Sequence, residues 1–355
     1  MILWKKKNWI SNPEISDSLY FMALNLEKME QNILADTGQE ELELLVDRAM
    51  EDEIRASSGI EGIRMDSRKI RSSIAQNRGW IQPEWSPERQ ETGKEARAVR
   101  SAIHMMRGGP VTHELICACH ALLPSPQDKI WGKYRDHSES VYDENGVSVY
   151  DAPNAPEMRR FMDIFIQWWE QERPKLPLPL GAALGHLFFE AIHPFHDGNG
   201  RIGRMLADKA WEKNGIFRPF SVSGAIIQDK NRYYDFINEA TNEGKIDEWL
   251  IYMLKAQESA LQAAQERAFR LRNISDWISK TSFQLDKNDL EIIYEIGLSN
   301  RRHWTEFEAT RYMEDDEIAE KAWNKLVDLG IIKNGELILV SDVSRPEEMQ
   351  NFGPK

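Results

Sequence analysis

The 355-residue sequence predicts a mainly α protein. Apolar residues recur at helical spacing through most of the chain, and strand-like alternation is confined to two short stretches around Asn145-Gly146 and Asn334-Gly335. Prolines gather between the periodic segments, at Pro83, Pro87 and Pro174–Pro179, where they mark boundaries. With 41% hydrophobic residues the chain can build two or three domains, each with its own core.

Taken in order, residues 1–82 hold Trp4, Trp9 and two helical patterns, and read as an N-terminal helical extension. In the second pattern Leu42, Leu45, Val46, Ala49, Met50 and Ile54 fall on one helical face, which runs into Ser57-Ser58-Gly59-Ile60-Glu61-Gly62. Ser57 and Glu61 are four apart and share a side, with Gly62 suited to the C-cap. A glutamate at the negative end of a helix is electrostatically misplaced, which predicts a compensating cation. Residues 83–255 read as a helical core containing Glu157–Arg173, the proline-rich link and the apolar helix Leu180–Ile192. Asn145-Gly146, between Ser138 and Tyr150, predicts a β-hairpin, and Asn231-Arg232-Tyr233-Tyr234 opens a further helix. Residues 256–279 form a charged linker helix, and residues 280–345 combine helices over Leu290–Ile296, Glu306–Tyr312 and Glu317–Leu329 with a hairpin over Ile331–Val340.

A net charge of −13 gives no global basic field for nucleic acid or an anionic membrane. The only cysteines, Cys117 and Cys119, are too close for an easy disulfide on a helix and lack partners for a zinc site, so they read as buried thiols of a reducing compartment. Met1-Ile-Leu-Trp-Lys-Lys-Lys has the wrong order and length for a secretory signal, and no run approaches a membrane span. The expected location is cytoplasmic.

The densest chemistry lies in His193-Pro194-Phe195-His196-Asp197-Gly198-Asn199-Gly200-Arg201-Ile202-Gly203-Arg204. Pro194 stops the preceding helix. Asp197–Gly200 has turn composition, whose glycines let backbone N–H groups converge, and a second helix starts there with its positive end facing the same concavity. Arg201 and Arg204, three apart at that helix start, repel each other and the dipole unless an anion sits nearby. A polyphosphate supplies one, with Asp197 placed to hold Mg²⁺, and His193 at the edge is the natural general base. A rival reading takes His196-Asp197 as a metal dyad with His193 as a further ligand, but Pro194 and the glycine turn break the helix such a ligand face needs.

This run is similar to the signature His-Pro-Phe-x-Asp-Gly-Asn-Gly-Arg-x-x-Arg of the Fic family. The resemblance implies a Fic helical core and transfer of AMP from ATP to a Ser, Thr or Tyr hydroxyl of a protein, the chain itself included, with release of pyrophosphate. It implies that His193 deprotonates the hydroxyl, Asp197 holds Mg²⁺, and Asn199 with the backbone of Gly198 and Gly200 cradles the α-phosphate. Arg201 and Arg204 would grip the distal phosphates, Phe195 would anchor the loop, and Tyr233 and Tyr234 would stack on adenine, a core role for the two tyrosines being an equal alternative. Gly200 in place of lysine points to AMP transfer. The Ser138–Tyr150 hairpin resembles the family's flap, which aligns an extended target segment by strand addition, and Trp131-Gly132-Lys133-Tyr134-Arg135 resembles the usual lead into it.

Ser57 with Glu61-Gly62 resembles the family's inhibitory helix, which implies that Glu61 pairs with Arg204 in the place of the γ-phosphate. The alternative activity at the same site is removal of AMP from a modified protein, with Glu61 orienting water. Helices followed by a hairpin make residues 280–345 winged-helix-like, so a DNA-binding regulator is the reading from another class. Nine Lys/Arg against 14 Asp/Glu in that segment argue against it and favour protein contact or a homodimer.

Overall fold

A computed structural model describes residues 1–10, 13–67, 70, 94–124, 131–142, 146–212, 218–280, 283–299, 304–305, 313 and 316–338. The Pro83–Pro87 boundary, Asn145 of the first hairpin, the Glu306–Tyr312 helix and the far end of the second hairpin beyond residue 338 lie outside the described residues. The mainly α expectation holds, with strands limited to two small antiparallel hairpins among the described residues.

Two compact units divide the chain, one of residues 1–32 and 46–262, the other of residues 33–45 and 263–355. In chain order the helices are α1 (Asp17–Asp36), α2 (Gln39–Ile60), α3 (Lys94–Arg107) and α4 (His113–Leu122). A hairpin of β1 (Ser140–Tyr142) and β2 (Ser148–Asp151) follows. Next come α5 (Ala155–Gln171), α6 (Leu178–Ile192), α7 (Asn199–Ala210), α8 (Val222–Ile226), α9 (Lys230–Glu243) and α10 (Ile246–Lys280). Finally α11 (Lys287–Leu298), α12 (Asp316–Asp328) and a hairpin of β3 (Ile332–Lys333) and β4 (Glu336–Leu337) complete the described elements. The charged segment read as a separate linker helix from residue 256 continues, without a break, the helix that begins at Ile246.

The first unit is organised around α6, whose residues from Pro179 to Ile192 are buried apart from Glu190, which is partly covered. A helix that is apolar all round must be central, and here Phe188 and Phe189 pack against Trp168 and Phe165 of α5. The helices approach so closely that a Cβ on Gly185 would lie 2.6 Å from the Trp169 ring. On the other side, a Cβ on Gly203 of α7 would lie 2.7 Å from His186 Nδ1. Asn154 caps α5 by accepting from Glu157 N–H, which fixes where the chain leaves β2.

The end of α2 is buried on nearly all sides, including three consecutive acids, Glu51, Asp52 and Glu53. Glu53 accepts hydrogen bonds from Ser221 Oγ at 2.8 Å, from the Ser223 hydroxyl and from Arg218 Nη2 at 3.4 Å, so burial is compensated by partners. Arg218 also pairs with Asp208 of α7, which lies 3.6 Å from Arg107 of α3. This network ties α2 to α3, α7 and the start of α8.

The second unit has a separate core of Ile274, Ile292, Ile293, Ile296, Trp323, Leu326 and Leu337, among others. Asp286 caps α11 in a reciprocal capping box with Asp289. Asn334 and Gly335 both have positive φ, 53° and 78°, as the two-residue turn between β3 and β4 requires.

Candidate active site

The loop between α6 and α7 is built by its own backbone chemistry. His193 ends α6 in the left-handed region, φ 51° and ψ 60°, a conformation that costs a non-glycine residue roughly 1–2 kcal/mol. Pro194 prevents continuation of the helix, and Gly198 at φ 82° turns the chain into α7. The first bond of α7 runs from Ile202 N–H to Gly198 O, so the N–H groups of Asn199, Gly200 and Arg201 precede its ladder and leave its positive end open.

Three residues that the sequence reading did not single out for roles hold this strained loop. Arg135 donates Nε to His193 O at 2.7 Å, Nη1 to His137 O at 2.7 Å and Nη2 to Pro153 O at 2.6 Å, while its own N–H donates to Pro194 O. One buried guanidinium thus satisfies the end of α6 and joins it to both approaches of the first hairpin. His120 stacks on Phe195 with centroids 3.8 Å apart, accepts at Nδ1 from Gly132 N–H and uses Nε2 to donate to Asp197 O. Burial pulls its pKa down to about 4, which suits the neutral tautomer those two bonds require. Tyr150 of β2 donates its hydroxyl to Ala191 O at 2.6 Å.

A cleft is lined by Glu61, Val141, Tyr150, Glu190, His193, His196, Asp197, Gly198, Asn199, Gly200, Tyr233 and Tyr234, with Ile237, Asn238 and Thr241 of α9. Burial, with Arg135 nearby, lowers the His193 pKa to about 4, so the imidazole is neutral at pH 7 and able to take a proton. Its Nδ1 lies 3.9 Å from Glu190 Oε2, and burial raises Glu190 to about 8.

The other sequence-predicted residues separate by position. Asn199 is buried, with Oδ1 accepting from Phe195 N–H at 2.9 Å and Nδ2 donating to Phe195 O at 2.8 Å, so its amide braces the loop. Asp197 lines the cleft and accepts from Gly198 N–H at 2.6 Å. Arg201 donates to Pro124 O at 3.1 Å, with its guanidinium 5.6 Å from the Trp131 ring centroid and 3.9 Å from Asp197 Oδ1. Tyr233 is buried and hydrogen-bonded to His186 at 2.8 Å, while Tyr234 donates to Ile60 O at the end of α2.

Arg204 faces α2. Its Nη2 donates to Glu61 Oε1 at 2.6 Å and to Ser57 O at 3.0 Å, and its Nε donates to Ser57 Oγ at 3.0 Å. Burial opposes the charge on Arg204, but Glu61, Tyr233 and Glu190 together outweigh it and hold the guanidinium proton more tightly than usual. A Cβ at Gly200 would run into the Glu61 carboxylate, so that glycine is what lets the carboxylate lie against the start of α7.

Residues 110–210, from the residue before α4 to the end of α7, match the Fic/DOC family. The chain carries a Fic domain. Over 134 residues it is 32% identical to a protein of Nematostella vectensis named Protein adenylyltransferase Fic, a stretch covering 37% of this chain and 29% of that one. A protein of the same name from Drosophila yakuba is 32% identical over 116 residues, 32% of this chain and 22% of its own. The chain thus spans less than a third of the length of these curated relatives. Around the Fic domain the fold extends further: a Fic family protein from Desulfovibrio desulfuricans G20 superposes with a TM-score of 0.56 over 90% of this chain and 92% of that one, at 19% identity. Fic-1 from C. elegans, residues 134–508, gives 0.54 over 74% of each chain at 16% identity.

The Fic signature leaves Arg135, His120 and Glu190 unnamed because each acts through burial or across distance. A weak signal existed for two of them. Arg135 ends the Trp131–Arg135 run, and Glu190 is the lone carboxylate in the apolar stretch Leu180–Ile192.

Proposed function

We propose that this chain is a protein adenylyltransferase held at rest by Glu61. The observation carrying the reading is that a neutral, buried-edge imidazole, the Asp197 carboxylate and the open start of α7 line one cleft inside the Fic domain. In this reading ATP lies along the cleft with its phosphates toward α7, and the target hydroxyl approaches beneath the β1–β2 hairpin.

His193 takes the hydroxyl proton as the oxygen attacks the α-phosphorus. The new oxygen–phosphorus bond forms as the bond to the β-phosphate bridging oxygen breaks, and pyrophosphate leaves with that electron pair. Asp197 is the carboxylate suited to hold Mg²⁺, which would neutralise phosphate charge. Gly198 and Gly200 leave room for backbone N–H groups to approach phosphate, and Asn199 keeps the loop in shape. Tyr234 borders the cleft while Tyr233 supports it from the core. Arg201, buried between Trp131 and Pro124, would have to turn to meet a distal phosphate; Arg204 needs only to lose Glu61.

Autoinhibition follows from competition for one guanidinium. While Glu61 occupies Arg204, a γ-phosphate faces a carboxylate where it needs a cation, and Ser57 and Tyr234 hold the end of α2 in place. The site partner is a protein bearing a hydroxyl, with self-labelling as the simplest case. We read the second unit, with α11, α12 and the β3–β4 hairpin, as a winged-helix-like module for protein contact or homodimer formation.

The test is incubation of the full chain with α-labelled ATP and Mg²⁺. Glu61→Gly is expected to increase labelling by roughly 5–150-fold, the span of a 1–3 kcal/mol coupling. His193→Ala in the Glu61→Gly background is expected to lower it by roughly 10²–10⁴-fold, the ordinary worth of a general base. Label that survives His193→Ala would sink the mechanism, and release of AMP from a premodified target by the unaltered chain would favour the reverse reaction.

A further inference from the structure

His137, Glu139 and His196 converge at the foot of the first hairpin. One ligand atom from each lies within 4.8 Å of the others. His196 Nδ1 is 2.6 Å and His137 Nε2 is 3.2 Å from the same carboxylate oxygen, Glu139 Oε2, and the two rings are 5.6 Å apart between centroids. Both imidazoles are exposed and Glu139 is half-buried, so the cluster is open to an ion from solvent.

The chemistry of the donor set is specific. Two imidazole nitrogens and one carboxylate suit zinc and its first-row neighbours, whereas Mg²⁺ and Ca²⁺ prefer all-oxygen shells. On the far side of His137, Nδ1 is 3.1 Å from Asp136 Oδ1. A carboxylate behind a ligand histidine fixes the ring and leaves Nε2 as the free donor, the usual support for a metal-bound imidazole. Three protein ligands leave a fourth tetrahedral position for water.

We propose that His137, Glu139 and His196 form a binding site for a first-row transition dication of the zinc class, separate from the Mg²⁺ position read at Asp197. The site goes beyond the adenylyltransferase reading and does not depend on it. His196 occupies the unspecified position of the Fic signature, between Phe195 and Asp197, and His137 and Glu139 lie just before β1. A bound ion would therefore join the base of the hairpin to the α6–α7 loop. The short contacts among the three side chains must open slightly to admit it, since ligand atoms at about 2.0–2.2 Å from zinc stand farther apart than the present His196–Glu139 contact.

The experiment titrates the untagged, chelator-stripped full chain with Zn²⁺ alone in a Mg²⁺-containing buffer, following heat, and with Co²⁺, following the visible bands of a tetrahedral complex. The expected result is one ion per chain. His137→Ala should weaken binding by at least about 10-fold and abolish the cobalt bands, while Asp136→Asn should weaken it by roughly 10–100-fold. Asp197→Ala should bind zinc as the parent does. Circular dichroism of His137→Ala should match the parent, because the ring is exposed. Absence of stoichiometric binding, binding untouched by His137→Ala, or binding lost in Asp197→Ala would each overturn the proposal. None of these measurements involves labelling by ATP, so failure here leaves the adenylyltransferase reading intact.

Discussion

At the scale of single residues, the cleft is governed by what burial does to charge. His193 and Glu190 sit side by side, and burial drives their protons in opposite directions, the imidazole toward losing its proton and the carboxyl toward keeping it. Because the folded Glu190 titrates near 8 and its ordinary value is 4.5, the folded chain holds a proton that the unfolded chain has released. The contribution of Glu190 to stability is therefore complete below its unfolded value and is lost as pH rises through its folded value. Glu190→Gln cannot ionise. Urea unfolding is expected to show the parent losing stability relative to Glu190→Gln between about pH 5 and about pH 9, and a constant difference over that window would refute a buried, raised carboxyl. His193, Asp197, Glu61 and Arg204 were legible in sequence because each belongs to a contiguous motif. His120 was not, and Arg135 showed only as the end of the Trp131–Arg135 run, because a residue 77 or 58 positions away becomes a support only when the fold brings it to the loop.

Among elements, the close approach of α6 to its neighbours sets what substitutions the Fic domain tolerates. Alanine at Gly185 would gain about 1 kcal/mol of helix propensity, but its methyl would meet the rigid ring of buried Trp169. Overpacking wins, and Gly185→Ala is expected to destabilise the chain by about 1–3 kcal/mol in urea denaturation. Helices α5, α6 and α11 were readable from periodicity. The unbroken course of α10 was not, since a shift from apolar to charged composition near residue 256 looks like a boundary although nothing in the backbone interrupts it. Periodicity also placed α2 as an amphipathic helix; its last turns are buried on nearly all sides, and there Glu53 is satisfied by Ser221, Ser223 and Arg218.

For the whole molecule, that Glu53 network anchors α2, the helix whose end carries Ser57 to Arg204 and leads to Glu61. Removing one partner of a buried charged cluster typically costs about 3–5 kcal/mol and leaves Arg218 less well compensated. Glu53→Ala is expected to lower stability by about that amount and to raise ATP labelling, though less than Glu61→Gly, because Ser57 and Tyr234 still hold the end of α2. Labelling equal to the parent in a folded Glu53→Ala chain would mean that Glu61 is positioned without this network. The net charge of −13 belongs to the same scale, and no DNA retention that weakens steeply with salt is expected from the full chain. Among the described residues no helix is long and apolar enough to cross a membrane.

The helical class and the Fic domain were legible from the chain alone, because helix periodicity and a dense motif are local properties. That Arg204 meets Glu61 was already implied by the resemblance and is observed; tertiary packing decided that Arg201 lies against Trp131 and Pro124, that Asn199 spends its amide on the loop, and that the Glu190 carboxyl is buried beside His193. It also brought His137 and Glu139 to His196. Those outcomes depend on burial and, for Arg201 and the His137–Glu139–His196 group, on contacts between residues far apart in the chain.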